Sequence, residues 1–155
     1  MKMISLFISF LISFTLTGCK KDQPIEAPRV NTGYLYKVEP GIPGKEVYIC
    51  GQRPFNATGD LVGPGNLGLQ TRQVFENISE SLKTVNMSLR NVTQVTYLVK
   101  GTTTNASAVA ADKAQSITMQ ATSYLPILPS VVEMKNVAQT YREDVLIEIE
   151  VIAVK

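Results

Sequence analysis

The segment VLIEIEVIAV at 145–154 constrains the fold more than any other part of the chain. Successive side chains of a strand point to opposite faces. Ile147, Ile149 and Val151 therefore share one face, while Leu146, Ile152 and Val154 lie beside Glu148 and Glu150 on the other. A strand that is apolar on both faces needs a cover on each. One cover is readable as a helix, because Leu67, Thr71, Val74, Phe75, Ile78, Leu82 and Val85 recur at three- and four-residue steps, with Arg72, Glu76 and Glu80 elsewhere. Asn66 suits the N-cap of that helix, where its side-chain oxygen can accept a bond from a first-turn amide.

The remaining elements follow from composition and turn residues. Residues 33–38 and 46–50 read as strands around the turn EPGIPG at 39–44, and 56–59 as a further turn. Val, Thr and Tyr residues over 92–99 favour a strand. The alanine-rich stretch 106–124 reads as a second helix, broken by Pro126 and Pro129, after which 130–134 forms a short strand. Strands, helix, strand, helix and strands in that order predict an α+β domain at 32–155, with two helices covering one face of a mixed sheet.

The N-terminus carries a different signal. Lys2 precedes an apolar, Ser- and Thr-containing run over 4–16, and then Thr17, Gly18 and Cys19. The run is too short to span a bilayer as a helix and has the layout of a secretory leader. Leu16-Thr17-Gly18-Cys19 resembles a bacterial lipobox, which implies cleavage after residue 18 and lipid modification of Cys19, against an ordinary cleaved leader that happens to contain a cysteine. Two or more hydrocarbon chains anchor a protein durably where one is marginal. The charged, proline-bearing stretch KKDQPIEAPRVN at 20–31 reads as a tether. These features place the protein in the bacterial cell envelope, bound to a membrane through Cys19.

Composition removes several kinds of chemistry. The formal net charge is only +2, and no basic stripe is present to neutralise a row of phosphates, so a nucleic-acid partner is not expected. The chain has no histidine, and with Cys19 taken by lipid Cys50 is the sole thiol. No intrachain disulfide, His-activated nucleophile or Zn or Cu site is expected from such a set, and nothing calls for a cofactor. Acid/base chemistry must come from carboxylates, tyrosines or bound water.

Four blocks in order, VYICGQRP at 47–54, LQTRQVFENISESLKTV at 69–85, NVTQVTYLVK at 91–100 and VLIEIEVIAV at 145–154, resemble the Rid family, the YjgF-type imine deaminases. The resemblance implies a chorismate-mutase-like fold, a homotrimer, and small-molecule clefts between subunits. It implies hydrolysis of 2-imino acids by a positioned water, with an arginine clamping the substrate carboxylate as a guanidinium fork does well. It maps the water-orienting carboxylate onto Glu148, a cleft tyrosine onto Tyr34, and places Cys50 where relatives carry a serine before Gly51 and Gln52. In ILPSVVEM at 127–134, Pro129 stands in the place of the family arginine, followed by Ser130. Arg142 and Lys135, in the long connection before the last strand, are the cations considered as replacements, with Arg142 otherwise a solvated loop residue beside Glu143 and Asp144. Cys50 reads as a small packing residue more readily than as a nucleophile, since no imidazole is present to activate it. Two functions remain open: a hydrolase acting on imino acids or related compounds through Glu148, and a non-catalytic binding or scaffold trimer.

Overall fold

The computed structural model describes Gly44, 46–101 and 108–155. The leader, Cys19, the tether, Tyr34 and the strand expected at 33–38 lie outside the described residues. The elements are β1 (Glu46–Gln52), α1 (Leu67–Lys83), β2 (Val92–Lys100), α2 (Ala111–Tyr124), β3 (Val131–Val137) and β4 (Ile147–Val154), with a 3-10 turn Leu89–Asn91 before β2. They form one mixed sheet in the order β1-β4-β2-β3. β4 is antiparallel to both neighbours, and β2 and β3 are parallel with α2 as the crossover between them.

β4 is central, and this accounts for its long apolar run. Its partners align Ile49 with Val151, and Tyr97 with Ile149, so that Val47, Ile49, Val95, Tyr97, Val99, Ile147, Ile149, Val151 and Ala153 form one apolar face. Against it lie Val74, Phe75, Ile78 and Leu82 of α1 and Ile117 and Ala121 of α2. The three- and four-residue spacing read in the sequence is therefore the packed stripe of α1, and Asn66 caps it by accepting a bond from the Leu69 amide at 3.0 Å. Asn56 likewise organises the turn that follows β1, its side chain accepting from the amides of Thr58 and Asp60.

Several boundaries differ from the sequence reading: β1 runs on to Gln52 and β2 to Lys100, past the expected ends at 50 and 99. α2 begins at Ala111 and not at residue 106, with no side chain capping its start; its alanines lack the apolar stripe that defined α1. β3 extends to Val137, beyond the expected end at 134, because its parallel pairing with β2 continues to Lys100. β4 begins at Ile147, since Leu146 still gives its amide to the side chain of Gln70. The second face of the sheet, carrying Tyr48, Cys50, Gln94, Thr96, Glu150 and Ile152, is covered by no described helix and holds a shallow depression between those residues.

Tyr97 is the largest side chain of the core, 2% exposed, with its ring edge-on to Phe75 at 6.4 Å. Burial pushes its hydroxyl from the ordinary 10.0 up to about 12, because the charged phenolate is the disfavoured form there. A raised folded value means that the stability contribution is complete below pH 10 and is lost as pH rises through about 12. Urea unfolding between those pH values is expected to show the parent losing about 2 kcal/mol more than Tyr97→Phe; parallel pH profiles for the two proteins would refute the buried phenol.

Candidate functional site

Glu148 lies on the open face of β4, level with Leu98 of β2 and Lys135 of β3. It is nevertheless only 8% exposed. Its Oε1 accepts the Tyr141 backbone N–H at 2.7 Å, and its Oε2 lies 3.3 Å from Arg53 Nε. An ionised carboxylate so placed is viable because a cation and an amide replace its water. Gly51 permits the approach. It holds φ +61 in a bulge where the register of β1 against β4 shifts, and a Cβ added there would stand 3.4 Å from Glu148 Oε2. Left-handed backbone favours glycine, and a bulge re-aims the residues that follow it.

The two loops that meet at Glu148 are fixed by amide side chains of α1. Asn77, 6% exposed, donates through Nδ2 to the carbonyls of Arg53 at 2.9 Å and Phe55 at 2.8 Å. Gln70, fully buried, donates to the carbonyls of Asp144 and Gly63 and accepts the Leu146 amide at 2.7 Å. Between the loops runs an alternating stack. The Arg53 guanidinium lies 4.2 Å from the centre of the Tyr141 ring, Tyr141 meets Phe55 edge-on at 6.1 Å, and the Arg142 guanidinium lies 5.1 Å from the centre of Phe55. Cation–π contacts of this kind hold a guanidinium in place without consuming its N–H donors.

The residues singled out in the sequence do not all converge. Glu148 and Gly51 are together. Cys50 is exposed on the open face, in the depression with Tyr48 and Glu150, which corrects its reading as a buried packing residue: β1 turns Val47 and Ile49 to the helices and Tyr48 and Cys50 away. Ser130 is exposed just before Val131, which pairs with Gln94, whereas Glu148 is level with Leu98. Four residue steps along β2, roughly 13 Å, separate those levels. Pro129 is buried.

Neither cation considered as a replacement stands free. Lys135 pairs with Glu133 at 2.7 Å, and Arg142 forks onto Asp144 through Nε at 2.8 Å and Nη2 at 2.6 Å. The Arg142 hydrogen bond holds the Asp144 carboxyl below its usual range. The cation beside Glu148 is Arg53, which the sequence reading passed over. Its signal was a charge directly after Gly51 and Gln52, at the end of a strand with one face turned against the core.

Replacing Asn77 with alanine removes, among the described residues, the side-chain donor to both loop carbonyls; the Arg53 carbonyl keeps the Phe55 amide at 3.0 Å, but the buried Phe55 carbonyl loses its partner, which is costly. Asn77→Ala is expected to lower stability to urea by about 2 kcal/mol, and Asn77→Asp, which cannot donate, to do the same. Two variants as stable as the parent would show that the loop is held by other means.

The family described as endoribonuclease L-PSP matches residues 25–155. No curated protein matches the chain in sequence. Among solved structures, the Rid-family protein YyfB of Yersinia pestis is similar with a TM-score of 0.62 at 27% identity, over 86% of this chain and 95% of that one. The YjgF gene product of E. coli shares the fold with a TM-score of 0.62 at 22% identity, over 81% and 94% of the two chains. TdcF of E. coli, solved with bound serine, does so with a TM-score of 0.59 at 20% identity, over 80% and 94%. By the extent of the family match and the shared α+β architecture, the chain belongs to the endoribonuclease L-PSP family, the Rid or YjgF group.

Proposed function

We propose that the protein is a membrane-anchored Rid-family hydrolase whose small-molecule cleft, completed between the subunits of a homotrimer, acts on 2-imino acids or closely related compounds. The observation that carries this reading is the setting of Glu148: nearly buried, held in one orientation by the Tyr141 amide and Arg53, and with a lone pair left on each oxygen. A carboxylate so fixed can hold a water against an imine carbon and take its proton as the C–O bond forms. The amine then departs as ammonia and leaves a 2-oxo acid. The serine bound in TdcF makes amino-acid-sized ligands the natural first probes. RNA cleavage, named in the family description, is a poorer fit to a chain with 15 cationic and 13 acidic residues and no histidine.

The trimer is supported by surface left uncovered on the protomer. Tyr48 on the open face, Val131 and Val132 on the edge strand, and Ile127 and Leu128 before it are all exposed apolar side chains. Exposed apolar side chains gathered along a sheet edge and its approach are a usual mark of association. A specific observation also favours the second reading, a non-catalytic binding trimer: Pro129, in the place the resemblance gives to an arginine, is buried and has no N–H to offer. Hydrolysis of freshly generated 2-iminobutanoate by the full chain in detergent decides between them. Turnover that falls roughly 100-fold or more in Glu148→Gln supports the hydrolase; an inactive parent supports the binding protein.

The anchor is tested separately. Among the described residues no helix is long and apolar enough to cross a membrane; the proposed anchor is the lipid on Cys19. Cys19→Ala is expected to move the protein from the membrane to the soluble fraction and to abolish incorporation of labelled fatty acid. Unchanged fractionation would remove the lipoprotein assignment.

A further inference from the structure

Two arginines lie beside the loops that meet at Glu148, and they treat their carboxylates differently. Arg142 closes a fork on Asp144, with Nε and Nη2 both in hydrogen bonds. Arg53 does not. Its nearest approach to Glu148 is the 3.3 Å contact from Nε, and that nitrogen, buried, completes no hydrogen bond. Among the described residues none accepts a hydrogen bond from its Nη atoms, and 21% of the side chain remains exposed. If neutralising Glu148 were the whole role of Arg53, the fork that Arg142 makes would be the favoured geometry. Its position is instead set by groups that leave its donors unspent: the Tyr141 ring, the bulge at Gly51, and the Asn77 bonds to its own carbonyl and that of Phe55.

We propose that Arg53 is the binding residue for the anionic group of the ligand, and that Arg53 and Glu148 together form a receptor for an α-amino or 2-imino acid. This rests on the reading that the cleft beside Glu148 takes a small molecule. A guanidinium carries five N–H donors, of which one faces Glu148, so the Nη pair can meet both oxygens of a ligand carboxylate. A cation and an anion held side by side match a ligand whose carboxylate and nitrogen are carried by the same carbon. The nitrogen then lies toward Glu148, and a 2-imino acid bound this way presents its imine carbon to a water on that carboxylate. The ligand class follows from the pair: small, with one carboxylate and a neighbouring cationic or N–H-bearing nitrogen. An uncharged amide gains nothing from Arg53.

The test compares 2-oxobutanoate with 2-oxobutanamide, stable probes that differ in the charged group, by calorimetric titration of the full chain in detergent. The parent is expected to bind the acid at least tenfold more tightly than the amide, with the preference erased in Arg53→Gln, partly kept in Arg53→Lys, and kept in Glu148→Gln. The lysine variant guards against an uninformative loss of fold in the glutamine variant. Undiminished preference in Arg53→Gln, or in a folded Arg53→Lys unchanged affinity for the acid, overturns the assignment. The hydrolytic reading fails separately: a parent that discriminates acid from amide but does not hydrolyse 2-iminobutanoate leaves Arg53 as the anion site of a binding protein. A parent that hydrolyses the imine with KM unaltered by Arg53→Gln keeps the hydrolase and removes Arg53. Binding of neither probe overturns the assignment of Arg53, and the hydrolase is then judged on turnover alone.

Discussion

Gln70 and Asn77 are two turns apart on α1, on one side of the helix, and both end on the backbone of loops. Those loops, one after β1 and one before β4, have little regular pairing of their own. Buried peptide groups must find partners somewhere, and here the helix supplies them. The consequence is that the loops take their positions from α1, which the apolar stripe has already pinned to the sheet. Arg53, Tyr141 and Arg142 thereby inherit the rigidity of the core although none belongs to it. Fixed scaffolds that position loop residues are the common way a fold acquires chemistry.

What was legible in the sequence was whatever hydrophobic periodicity controls. The stripe of α1, its Asn66 cap, the strand at 92–99 and the two-faced apolar run of β4 all follow from spacing, since each is decided by which side chains leave water. α2 resisted the same treatment because alanines make little distinction between faces, and its start was placed too early. Cys50 was misread for a related reason. β1 alternates Val47 and Ile49 with Tyr48 and Cys50, and tyrosine and cysteine pack as readily as they face solvent, so residue type alone did not identify the outer face.

The candidate site was legible at Glu148 and obscure at its cation. Arg142 and Lys135 drew attention because the sequence reading put both in the connection that leads into β4, whereas Lys135 belongs to β3; each has an acid two residues away in the chain and is engaged by it. Arg53 has no such local partner. Its relation to Glu148 depends on a left-handed glycine and on a register shift between β1 and β4, features of long-range pairing that no window of sequence contains. The amides of Gln70 and Asn77 were equally silent, being polar residues on a helical face otherwise read for its apolar members.

The placement of Arg53 also alters what association would contribute. Ser130 and Glu148 lie at different levels of the sheet with β2 between their strands, so a cleft that used both ends would have to draw them from two copies. Arg53 and Glu148, by contrast, come from one protomer and are held by one helix. In a site of that kind a neighbouring subunit shapes the walls and excludes water, while the charge pattern that selects the ligand is already complete before assembly. Low dielectric would then strengthen both interactions with the ligand at once, which makes closure by a second copy a matter of affinity, with chemical preference left to the single chain.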